Sequence, residues 1–195
     1  AYLTDRVDFA TFSGHKFHAV RGVGFVYKKA GKKITPLLTG GGQEKDFRST
    51  TENVAGIASM AKALRLVTDK EAFSLPKIAK MKKIIFDELA KHEDITIFSG
   101  EGEDFAPNIL TFGIKGVRGE VIVHAFEEHQ IYISTTSACS SKAGKPAGTL
   151  ISMGVPTKLA QTAVRISLDD DNDMGQVEQF LTIFKQVYAK TQKVR

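Results

Sequence analysis

Several stretches of the chain hold side chains whose types and spacing suit chemistry. Ser13-Gly14-His15-Lys16 places a hydroxyl, an imidazole and a primary amine in one short turn, directly after the strand-like Asp8–Phe12. A turn at a strand's carboxyl end is where α/β folds bind ligands. A lysine amine there can attack a carbonyl if burial or a cationic neighbour lowers its pKa. Ser13 and His15 can donate hydrogen bonds to an anion such as phosphate. The same residues also read as an exposed turn with a solvated lysine.

Gly40-Gly41-Gly42-Gln43-Glu44 opens a long polar loop that runs to Arg48-Ser49-Thr50-Thr51-Glu52-Asn53. Glycines permit positive φ and close backbone approach. Ser and Thr just before a helix can cap it, and a helix start attracts phosphate. No Gly-Lys-Ser/Thr ending follows, so this is not a P-loop. The plainer reading is a capped helix after a flexible loop. Ser134–Lys142 surrounds the single cysteine, Cys139, with small hydroxylic residues. An apolar burial site would carry Val, Leu or Ile instead, so the composition suits an accessible thiolate nucleophile, or incidental exposure. Arg165 lies in Val164-Arg165-Ile166-Ser167, among apolar residues of a short strand, and needs a partner. A carboxylate held bidentately is the usual one. The residues alone favour an internal Asp or Glu over a substrate.

Asp169, Asp171 and Asp173 hint at a calcium loop, but Met174 and Phe180 occupy its required Gly and Glu positions. The five histidines lack any metal-ligand spacing.

The elements that position these residues are mixed. Gly22–Tyr27 reads as a second strand after the Ser13–Lys16 turn. Helical character runs from Glu52 to about Val67. A second helix carries Leu75, Ile78, Met81, Ile85 and Leu89 at spacings of three and four. Ile95–Phe98 and Asn108–Ile114 read as strands. Arg118–His129 reads as a helix with Val121, Ile122, Ala125 and Phe126 inward. Ile131–Ser134 and Val164–Leu168 read as strands, with a short helix over Thr157–Thr162 between them. The last helix aligns Met174, Val177, Leu181, Phe184 and Tyr188, and Asp173 with Gln176 forms a capping box. A seam is expected near Val67–Leu75. The order predicts α/β or α+β.

Of the 195 residues, 42% are hydrophobic and 25% charged, which excludes a disordered chain and a disulfide scaffold. The net charge is +5, but it is spread along the chain. Its densest cluster, Lys77, Lys80, Lys82 and Lys83, is expected on a solvated helix face, which argues against nucleic acid. No apolar run approaches about 20 residues and no export leader is visible. With one cysteine, a reducing, cytoplasmic setting is expected.

Together these segments resemble the second half of the NifS/IscS-like cysteine desulfurases, class V members of the pyridoxal-phosphate enzymes. That family's S-x-H-K with a following G-x-G is matched by Ser13, His15, Lys16, Gly22 and Gly24. Its G-G-G-x-E…R-S-G-T-x-N is matched by Gly40–Gln43, Glu44, Arg48, Ser49, Thr51 and Asn53. Its A-P-N-I, S-A-C-S-S and R-x-S-L are matched by Ala106–Ile109, Ser137–Ser141 and Arg165-Ser167-Leu168. The blocks keep their order from Asp8 to about Leu168.

The resemblance implies the C-terminal part of a fold type I α/β enzyme. Residues 1–70 would be the tail of the large domain that binds pyridoxal 5'-phosphate. Residues 71–195 would be the small C-terminal α+β domain with the cysteine loop. It further implies that Lys16 holds the cofactor covalently, with Ser13 and His15 on its phosphate. Thr51 would reach the phosphate of the neighbouring subunit of a homodimer. Arg165 would hold the α-carboxylate of L-cysteine. Cys139 would take its sulfur as a persulfide, leaving L-alanine, and pass it to an iron–sulfur scaffold or a tRNA-thiolation enzyme. Direct nucleic-acid or membrane binding is not expected.

Three departures stand out. Thr50 replaces a usual Gly. His18-Ala19-Val20-Arg21-Gly22 replaces a common H-G-P-K-G. The family's first half, with the histidine over the ring, the aspartate on the pyridine nitrogen and a glutamine, is not within these residues. The 195 residues alone are therefore expected to bind cofactor poorly and turn over little. The alternatives are a selenocysteine lyase or other class V enzyme, and a non-catalytic fragment that binds a sulfur acceptor.

Overall fold

In the computed structural model, residues 3–102, 104–135 and 148–193 are described. The chain forms two compact units, Ala1–Glu71 and Ala72–Arg195. Among the described residues no helix is long and apolar enough to cross a membrane.

The first unit is built on a hairpin. β1 (Phe9–Ser13) and β2 (Gly24–Lys28) pair antiparallel, with Phe12 opposite Phe25 and Ser13 opposite Gly24. The Phe12 and Phe25 rings stack with centroids 4.6 Å apart, the cross-strand aromatic pair that stabilises a short ribbon. Helix α1 (Val54–Leu89) begins in this unit. Its Met60 and Ala63 pack on Ala19, flanked by Phe17, Val23 and Phe25.

One helix replaces the two that the sequence suggests. α1 continues through Pro76. Proline removes one amide donor and crowds the carbonyl four residues earlier, here Ala72. The surrounding Lys, Glu, Ala and Leu are strong helix formers, and propagation across the defect wins.

The second unit is a four-stranded antiparallel sheet in the order β3-β4-β6-β5, comprising β3 (Ile95–Ile97), β4 (Ile109–Ile114), β5 (Ser134–Thr135) and β6 (Ala163–Ser167). Side chains alternate across a strand. Leu110, Phe112, Ile114, Val164 and Ile166 therefore share one face, and it is buried. It packs against Met81, Ile85 and Leu89 of α1, helix α2 (Gly119–Glu127) and helix α5 (Met174–Lys193). The opposite face carries Thr111, Arg165 and Ser167. Its Ala163 end is covered by Leu150 of helix α3 (Gly148–Ser152) and Ala160 of helix α4 (Thr157–Ala160).

Two local expectations fail. Val121 is 55% exposed, because α2 buries the i, i+4 pair Ile122 and Phe126 instead. The strand expected over Ile131–Ser134 shrinks to Ser134–Thr135. The end of α2 claims the Ile131 amide, which donates to the Phe126 carbonyl at 3.1 Å, with Gln130 left-handed at φ 58°. That is a helix-terminating turn, so the ladder starts later.

The capping box of α5 forms as expected. The Gln176 amide donates to Asp173 Oδ1 at 2.9 Å, and the Asp173 amide donates to Gln176 Oε1 at 3.2 Å. Asp173→Ala should cost about 1 kcal/mol and lower Tm by roughly 2–4 °C in a thermal melt.

Candidate active site

The Ser13–Lys16 turn is shaped by two glycines. The Gly14 amide donates to the Val23 carbonyl at 2.9 Å, and a Cβ on Gly14 would stand 2.8 Å from that oxygen. A Cβ on Gly24 would stand 2.5 Å from the Phe12 carbonyl oxygen. Both positions exclude side chains by close approach. Gly14–Phe17 then winds into one turn of 3₁₀ helix, closed by His18 at φ 70°. This turn half-buries Phe17 and leaves Ser13, His15 and Lys16 exposed. None of the three side chains has a hydrogen bond or ion pair among the described residues. A hydroxyl, an imidazole and a primary amine stand uncommitted on one turn. That donor set fits pyridoxal phosphate: two groups for phosphate oxygens and an amine for an aldehyde.

The Gly40–Asn53 loop borders a cavity of about 1100 Å³ in the first unit. Thr51, Arg48, Phe47 and Gly24 are among its lining residues, whereas Ser13, His15 and Lys16 are not. Asn53 caps α1, with the Gly56 amide donating to its Oδ1 at 3.0 Å. The sequence favoured Ser49–Thr51 for that role. The Thr51 hydroxyl is therefore not used in capping. Glu44, Lys45 and Asp46 are left-handed, at φ 52°, 56° and 66°. Each costs about 1–2 kcal/mol relative to ordinary backbone. Lys28 Nζ stands 5.3 Å from the Phe47 ring centroid beside the cavity.

Arg165 lies in the second unit, on β6. Thr111 of β4 and Ser134 of β5 are its direct cross-strand partners. Opposed residues of an antiparallel pair share a face, so all three point the same way. The internal carboxylate favoured from sequence is absent: Arg165 has no acidic partner among the described residues. Its Nε is buried without a hydrogen-bond partner. A buried guanidinium donor left unpaired is costly, and an anion is the group that would satisfy it.

Ser134–Thr135 is the described stem of the cysteine-bearing segment. Cys139 itself lies outside the described residues.

Lys82 corrects an expectation. It is 6% exposed rather than on a solvated face. Its Nζ donates to the carbonyls of Ala106 at 2.9 Å and Gly100 at 3.1 Å. Burial holds its pKa below the usual lysine value, opposed by the charge of Glu101. The sequence held the signal: Ile78, Lys82, Ile85 and Leu89 fall on one stripe at spacings of four, three and four. Lys83, next along, is exposed and pairs with Asp87 at 2.9 Å.

The aminotransferase class-V family model matches residues 4–180. A NifS/IcsS protein homolog of Lactobacillus delbrueckii subsp. bulgaricus is 47% identical over 192 residues, covering 98% of this chain and 50% of that protein. The cysteine desulfurase IscS of Dictyoglomus turgidum is 35% identical over 162 residues, covering 83% of this chain and 41% of that protein. Among solved structures, a NifS-like protein from Rickettsia africae superposes with a TM-score of 0.82 at 32% identity, covering 94% of this chain and 48% of that one. The chain thus spans about half the length of the curated relatives it matches.

Proposed function

The chain belongs to the aminotransferase class-V family, and from that membership we propose that the whole protein is a pyridoxal-phosphate-dependent cysteine desulfurase. It takes sulfur from L-cysteine, leaves L-alanine and hands the sulfur from Cys139 to an acceptor protein. The observation that carries this reading is the placement of Arg165. Its unpaired guanidinium Nε lies on the strand beside Ser134, five residues before Cys139 in the chain.

Each residue has a task. Lys16 supplies the amine that holds the cofactor, and it carries protons to and from the substrate's carbons. Ser13 and His15 donate to the phosphate. Thr51 donates to the phosphate held by the neighbouring subunit of a homodimer. Arg165 grips the substrate's α-carboxylate and fixes its orientation. Pyridoxal phosphate, when bound, supplies an electron sink for bond cleavage at the amino acid. The Cys139 thiolate attacks the substrate's sulfur. A sulfur–sulfur bond forms, the sulfur–carbon bond breaks, and the carbon takes up a proton to give alanine. The acceptor is an iron–sulfur scaffold or a tRNA-thiolation enzyme.

The test is incubation of the whole protein with L-cysteine, pyridoxal phosphate and a thiol reductant. Alanine and sulfide should appear in equal amounts. Absence of alanine contradicts the reading. Arg165→Gln should raise KM for L-cysteine by about 10- to 100-fold, the loss of one charge-assisted hydrogen-bonded contact. Steady-state kinetics checks this, and kcat should change less than KM.

A further inference from the structure

We propose that Lys82 is a positioning residue for Arg165, acting through the connection between β3 and β4. This rests on the reading of Arg165 as the carboxylate receptor. A buried lysine ammonium normally finds a carboxylate. Lys82 instead spends its donors on two main-chain carbonyls, Gly100 and Ala106, near the two ends of that connection. Lys82 thus ties the connection to α1. The Phe105 ring lies so close over Gly100 that a Cβ there would come within 2.3 Å of it, which holds the connection against itself.

The fastened connection meets the sheet beside Arg165. The Thr111 amide donates to Ser99 Oγ at 2.8 Å, and the Phe98 amide donates to the Thr111 carbonyl at 2.8 Å. Thr111 is the direct cross-strand neighbour of Arg165. At the other end, the Asn108 carbonyl accepts from the Leu168 amide at 2.8 Å, just past β6. The connection therefore fixes β4 on both sides of the position that flanks Arg165. Among the described residues Arg165 has no acidic partner to aim it, so its strand neighbours set its direction. Lys82 sits at the head of that chain of contacts.

The experiment uses the whole protein loaded with pyridoxal phosphate. Lys82→Met, Lys82→Arg and Ser99→Ala are compared with the unmodified protein. L-alanine binding is measured by calorimetry and L-cysteine turnover by steady-state kinetics. Lys82→Met should weaken L-alanine binding and raise KM about tenfold, with kcat within about twofold, as expected when orientation loosens without loss of the reacting groups. Lys82→Arg, which can still donate to both carbonyls, should recover most of the affinity. Ser99→Ala should shift alanine affinity in the same direction. A purely structural lysine would lower Tm and leave the alanine affinity of the folded protein unchanged, and that result overturns the proposal. If Lys82→Met does not fold, unchanged alanine affinity in Ser99→Ala overturns it instead. If the unmodified protein neither binds alanine nor releases sulfide, the reading of Arg165 fails first and this inference falls with it.

Discussion

Lys16→Ala in the whole protein is expected to reduce sulfide release from L-cysteine by about 10³-fold or more. Proton transfer by a positioned side chain alone contributes 10²–10⁴-fold, and this substitution also removes the amine that holds the cofactor. The side chain is exposed and has no partner among the described residues. Stability should therefore stay within about 0.5 kcal/mol of the parent, as for ordinary surface changes. A thermal melt beside the sulfide assay separates lost chemistry from lost folding. Substantial activity in the alanine variant would remove Lys16 from the mechanism.

The second large effect falls on Cys139. Cys139→Ser should abolish sulfur delivery to an acceptor, because a hydroxyl cannot carry the sulfur as a persulfide. A serine hydroxyl is also almost wholly protonated near neutral pH, whereas the thiolate is the nucleophile. Labelled sulfur from L-cysteine should be found on the parent protein and be absent from the variant. The same variant assayed with L-selenocysteine distinguishes the related lyase chemistry. Selenide release that survives in the variant would favour a selenocysteine lyase.

Local signals that agreed with tertiary packing were readable from the residues. The β1–β2 hairpin follows from alternating apolar residues around glycines. Gly14 and Gly24 are glycines because neighbouring carbonyls leave no room for a Cβ. The Asp173–Gln176 cap of α5 was legible because capping depends on local sequence. Val177 and Phe184 of its expected stripe are buried, but Met174 is exposed and Phe180 and Val187 take the other inward positions. Where several interactions competed, the sequence was less informative. Pro76 looks like a helix break, yet the helix formers on both sides carry α1 across it. The shortening of β5 depends on a cap at the end of α2 that composition does not reveal.

The site shows the same division. Ser13, His15 and Lys16 are one local turn, so their grouping could be read directly. Arg165 could be singled out, but not its lack of an acidic partner among the described residues, which depends on what β4 and β5 bring beside it. Lys82 reads with its neighbours as part of a solvated face, although its position on the Ile78–Leu89 stripe marks it as inward. Its partners are backbone carbonyls from residues some twenty positions away, and a sequence pattern carries no trace of them.

The central claim is that the amine of Lys16 is the cofactor's anchor. The whole protein, saturated with pyridoxal phosphate and reduced with borohydride, should yield one labelled peptide, with the pyridoxyl group on Lys16 and none on Lys82. A label on another lysine, or no stable label at all, would contradict the account.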